Sequence, residues 1–218
     1  MEALLLTPYK EVLPLQLYES DPKFNYVFDR FIEWLRQCYL SRRLVYEALD
    51  KINQKAILIQ IIDKNDERFL PKHIGGSFVS KRGIINIRFK DNSELIDRVI
   101  ERNQLIDRTR ALDSLAYGAM WNMFSILIFE LINMRNLEGK PQEIFKRCTD
   151  CDTYARSMEE VEAQTAIDHH NISLEGIKQC NWNSIVDRFK NPAKDISKQE
   201  ERGHTQFYRD EFNRFKNL

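Results

Sequence analysis

No charged residue interrupts the run from Leu115 to Phe129, which is bounded by Asp113 and Glu130. This run constrains the chain more than any other feature. It is shorter than the roughly 20 residues that cross a bilayer, and Asn122 interrupts it. It therefore predicts a helix over about 111–135, buried in a protein core. A helix apolar on most sides must be wrapped by the rest of the chain. With 218 residues, 43% of them hydrophobic and 30% charged, the chain has enough material to do so around one core.

The flanking segments supply the wrapping. Residues 1–20 read as an irregular lead-in. Asp21-Pro22 pairs a capping residue with a proline at the first helical position. Phe24, Phe28, Phe31, Leu35 and Cys38 then follow helical spacing. A second helix restarts at Ser41. The segment 56–62 (AILIQII) is short, β-branched and almost wholly apolar, which predicts a buried strand. Segments 75–80 and 84–89 form a hairpin, with Gly83 supplying positive φ at the turn. Ser93 caps a further helix before the central one. Gly139 and Pro141 break the chain, followed by a short helix over 142–148, a long one over 153–170 and another after Ser173. Phe207, Tyr208, Phe212 and Phe215 mark a one-striped helix in the charged tail. The expected class is α+β: mostly helical, with a small antiparallel sheet or hairpin packed on the central helix. A single domain, 1–218, divides into N-terminal helices (1–54), a core (55–170) and C-terminal helices (171–218).

The central helix carries a polar seam. On a wheel of about 100° per residue, Gly118, Asn122, Ser125, Asn133 and Asn136 share a narrow arc with Phe129, and Glu130 lies between seam and core. Polar groups on a buried helix need partners. One reading has the seam meeting solvent or backbone; the other has it lining a polar site. A carboxylate among apolar neighbours moves towards a raised pKa, which suits acid–base chemistry. The 153–170 helix offers partners: Glu162 and His169 border its apolar stripe of Tyr154, Met158, Val161 and Thr165. His170 is adjacent. The candidate catalytic residues are Glu130, Asn133, Glu162 and His169.

The order of parts resembles the minimal zincin-like metallopeptidase fold. That fold has an edge strand for substrate, then a helix bearing HExxH, then a later helix with a further ligand. The hairpin 75–89 stands in the strand's place, and Phe129-Glu130-Leu131-Ile132-Asn133 occupies the motif. The resemblance spans about 55–170. It implies Glu130 as general base and Glu162 as the match of the third ligand. It departs where two histidines should share a helix face to bind Zn²⁺: Phe129 cannot ligate, and Asn133 is a poor ligand. The resemblance then implies a degenerate, metal-free relative with no cofactor, in which Asn133 orients by hydrogen bonding. Proteins of this kind occur among bacterial effectors, toxins and peptidase-related hydrolases.

Two other functions compete. A non-enzymatic interaction module would use the hairpin edge or the tail's aromatic stripe to hold a protein or peptide. A structural zinc domain would join Cys148-Thr-Asp-Cys151 to His169 and Cys180. Gly75-Gly76 opens a strand rather than a helix, so it is not a phosphate loop. Lys plus Arg and Asp plus Glu are each 33, which argues against a phosphate-reading nucleic-acid binder. Four cysteines, no secretory leader in the first residues and no membrane span point to the cytoplasm, including the cytosol of a host or target cell.

Overall fold

The computed structural model describes residues 13–18, 24–62, 68, 70, 75–89, 114–192, 194 and 203–218. The expected α+β, mostly helical class is what it shows. Four strands, β1 (Leu15–Leu17), β2 (Ile57–Ile62), β3 (Gly76–Val79) and β4 (Ile84–Arg88), form one sheet in the order β1-β2-β4-β3. β1 runs parallel to β2 and β2 parallel to β4; only β3 is antiparallel, to β4. The hairpin is as expected, with Gly83 at φ 60°. The remainder of the sheet is parallel, a correction to the antiparallel expectation. Its reason lies in β2, which is buried along nearly its whole length, as parallel strands covered on both faces are. β1, part of the supposed irregular lead-in, is too short to carry a readable alternation.

Helices α1 (Asn25–Gln37) and α2 (Tyr39–Ile52) connect β1 to β2. The chain becomes extended at Cys38 between them. Ser41 does not start α2. It is buried, and its hydroxyl lies within hydrogen-bonding distance of the Leu35 carbonyl at the end of α1 (2.8 Å) and of the Cys38 carbonyl (3.0 Å), which also accepts the Arg42 amide. Asp21-Pro22 and the helix expected from Ser93 lie outside the described residues.

The central helix, α3 (Ser114–Leu137), is buried as expected. Trp34 of α1 stacks on Trp121 at 3.7 Å, and Phe124 meets both indoles and Trp182 edge-on. Among the described residues, no helix is long and apolar enough to cross a membrane. After α4 (Lys140–Phe145), a single helix, α5 (Cys151–Gln179), replaces the two expected. Asp150 caps it by accepting from the Thr153 amide at 2.8 Å. Ser173, read as a second start, is buried mid-helix, and its hydroxyl faces His169 Nδ1 at 3.4 Å. A serine inside a helix can satisfy itself in this way, so its presence does not mark a boundary. Helix α6 (His204–Lys216) packs Tyr208 and Phe212 onto Tyr154 and Met158 of α5. Phe207, assigned to that stripe, is instead exposed.

Gly176 shows how closely the end of α5 is covered. A Cβ there would overlap the Trp182 ring, and the Trp182 amide donates to the Gly176 carbonyl at 3.0 Å. Gly176→Ala is therefore expected to cost about 3 kcal/mol, because the ring is wedged between α5 and Phe124. Urea unfolding measures this. A change below about 0.5 kcal/mol, the scale of a neutral surface substitution, would mean the ring does not lie on this turn.

Candidate functional site

The site begins with a close approach of α3 to the edge strand. A Cβ on Gly76 would overlap Ile126 and lie 3.1 Å from Glu130 Oε1. The glycine thus lets the helix carry a carboxylate up to the backbone of β3. Glu130 is buried, and among the described residues its one hydrogen bond comes from Asn133 Nδ2, at 3.3 Å. Burial is the main influence on its acidity and pushes it up to about 7; Asn133 and the Arg188 guanidinium favour the charge, while Glu162 opposes it. The carboxyl therefore changes charge near neutrality.

Asn133 suits either state. Its Nδ2 donates to the carboxylate, and its buried Oδ1 has no partner among the described residues. Flipping the amide would present that oxygen to the protonated acid. Glu162 of α5 is near enough for its charge to act on Glu130. Its Oε1 accepts a 2.6 Å hydrogen bond from the Tyr208 hydroxyl of α6. Asn133 thus touches Glu130 directly, whereas Glu162 acts on it only through its charge and is held by Tyr208.

His169 is not part of that group. It is fully buried, with Nε2 3.1 Å from both the hydroxyl and the carbonyl oxygen of Ser125. A carbonyl only accepts, so Nε2 carries the proton, and Nδ1 faces the Ser173 hydroxyl. Burial, first of several causes, lowers its pKa to about 3. A ring held neutral in this way ties α5 to α3 and cannot shuttle protons near neutrality, which corrects its expected catalytic role. His170 is the more accessible histidine. Its Nδ1 lies 3.0 Å from buried Asp187.

The residues do not fit the zinc that an intact HExxH motif would hold. Phe129 stacks on Phe189 at 5.4 Å and meets the His169 ring at 6.2 Å. Aromatic carbon thus fills the position where a first ligand would stand. Among the described residues, no three His, Cys, Asp or Glu side chains are grouped to hold a metal. The cysteine alternative fails on length. Cys151 starts α5 and Cys180 follows its end, with 29 helical residues between the boundaries, or roughly 40 Å at 1.5 Å per residue. Cys148 and Cys151 pack beside α6, so Cys148, Cys151, His169 and Cys180 cannot share one ion.

Sequence reasoning missed Gly76, Tyr208 and Arg188 as members of the site. Gly76 was legible only as a strand opener, and Tyr208 only as part of an apolar stripe. No family model, curated protein or solved structure matches the chain.

Proposed function

We propose that the chain binds an extended peptide along the outer edge of β3 and acts on it with Glu130 as acid–base group. On this reading the chain would be a zincin-like, peptidase-related hydrolase whose metal ligands have been replaced. The observation that carries the reading is the Glu130 carboxyl, buried against the backbone of β3, an edge strand among the described residues, with burial raising its pKa.

The register supplies the binding edge. The Arg88 amide donates to the Gly75 carbonyl, so Gly75, Ser77 and Val79 turn their backbone groups towards β4. Gly76 and Phe78 direct theirs outward. An added strand would pair with those groups, which places its backbone beside Glu130. The ionised carboxylate would take a proton from water as the oxygen adds to a peptide carbonyl. The resulting acid would return the proton to the departing amine. Asn133 would orient the carboxyl, and burial, with Glu162 acting in the same direction, would keep its pKa high.

The test is incubation of the protein with a mixed peptide library across pH 5–8, read by mass spectrometry. Glu130→Gln is expected to lower cleavage by about 10²–10⁴-fold, the usual contribution of a positioned acid–base group, while peptide binding persists. Binding without cleavage in the wild type would remove the hydrolase and leave an interaction module. Neither binding nor cleavage would remove both.

A further inference from the structure

The α1–α2 junction meets the end of α5 through two thiols. Cys38 Sγ donates to Glu175 Oε2 at 2.7 Å, and the Leu40 amide donates to the same oxygen at 2.9 Å. Cys180 Sγ donates to the Gln37 carbonyl at 3.0 Å, one residue before Cys38, so both thiols bridge the same junction. All four cysteines are free thiols. Cys38 is fully buried, whereas Cys180 is partly exposed and lines a cavity of about 480 Å³. The other walls are the stacked indoles of Trp34 and Trp121 and the side chains of Gln37, Gln179 and Asn181. Amides and indoles suit a small ligand with peptide groups.

We propose that Cys180 and Cys38 form a dithiol site that reduces a low-molecular-weight peptidic disulfide of the glutathione class and closes as a Cys38–Cys180 bond. The accessible Cys180 thiol first loses its proton to solvent. Its thiolate attacks one sulfur of the small disulfide, breaking that S–S bond and releasing one small thiolate. Cys38, buried beside the new mixed disulfide, then attacks Cys180 Sγ and passes its proton to Glu175. The second small thiolate leaves. Both released thiolates take up protons, so two protein thiols plus one disulfide yield one protein disulfide plus two small thiols.

The surroundings set the pace. Burial pushes the Cys38 thiol up to about 12, with the hydrogen bond to Glu175 acting in the same direction. Burial also raises Cys180, with Glu175 opposing the thiolate and Arg42 and Cys38 favouring it. Attack by Cys180 therefore accelerates with alkali, about tenfold per pH unit while the thiol form predominates.

The experiment incubates the full chain with oxidised glutathione at pH 7–9. Samples are then quenched by alkylation and read by intact mass and peptide mapping. Expected for the wild type is the loss of two hydrogens, a Cys38–Cys180 cross-linked peptide and no retained glutathione. Cys38→Ala is expected to trap glutathione on Cys180, and Cys180→Ser to leave Cys38 reduced. Glu175→Gln, which keeps both thiols, is expected to prolong the mixed disulfide during the time course. Three results overturn the proposal: glutathione retained on Cys180 of the wild type, a cross-link joining Cys148 to Cys151 instead, or no change at Cys38 and Cys180 at pH 9.

Discussion

Replacing Glu130 by Gln is expected to stabilise the protein by about 3 kcal/mol above pH 7 and to have little effect near pH 4. In the folded state, burial raises the carboxyl from its ordinary 4.5 to about 7. Folded protein therefore holds this proton where unfolded protein has released it. Stability from this group is greatest below pH 4.5, falls between 4.5 and 7, and stays low above 7. A tenfold change in proton affinity is worth about 1.4 kcal/mol. Gln fills the same space without a charge, so it removes the penalty. The corresponding rise in Tm is roughly 6–12 °C for a chain of this size. Urea unfolding at pH 4, 6 and 8 measures the effect. An unchanged pH profile in the variant would show that Glu130 does not titrate in this range, and acid–base work at neutrality would lose its basis. The gain in stability should accompany the loss of cleavage, because a buried ionisable group that disfavours folding persists where its chemistry is used.

Acid should destabilise the fold through His169, by about 5 kcal/mol once the ring is charged in both states. Burial lowers this imidazole from 6.5 to about 3. Unfolded protein thus binds a proton between pH 6.5 and 3 that folded protein refuses. The stability is complete above pH 6.5 and is lost as pH falls through 3. In the wild type this slope opposes that of Glu130. Between about pH 4.5 and 6.5 the two should nearly cancel, leaving a plateau, with a decline on the acid side from His169. The Glu130→Gln variant should lose the plateau and weaken continuously below pH 6.5. His169→Gln should show the reverse slope, gaining stability as pH falls from 7 to 4.5. Its absolute stability is lower, because it gives up ring contacts with Phe129 and Phe189. An acid limb surviving unchanged in His169→Gln would place the responsible group elsewhere.

The residues of the site differ in how far they could be read from one dimension. Glu130 stood out because a carboxylate at the end of an uncharged apolar run is costly unless it is paired or neutral. Asn133 and Glu162 followed from helical spacing; Asn133 donates to Glu130, while Glu162 pairs with Tyr208 of α6. His169 misled because the edge of an apolar stripe is the same position whether a side chain faces a cleft or a second helix. Its partner, Ser125, lies 44 residues away. Ser173 misled because a serine that caps a helix and one that binds inside it are the same letter.

Local rules were enough wherever one segment settled its own state. The uncharged run had to be a buried helix, β2 a buried strand, and Gly83 a positive-φ turn. These outcomes depend on apolar periodicity and on what a backbone can adopt. Contacts between distant segments were beyond such rules. The parallel pairing of β1 and β2, the approach of Glu130 to Gly76, the Tyr208 hydrogen bond to Glu162 and the hydrogen bonds of Cys38 to Glu175 and of Cys180 to Gln37 all depend on packing. The sequence alone determined which segments had to be buried, though not every residue, as exposed Phe207 and buried Ser173 show. Only the tertiary structure decided which of them touch, because burial is a property of each side chain whereas a partner is a property of the whole fold.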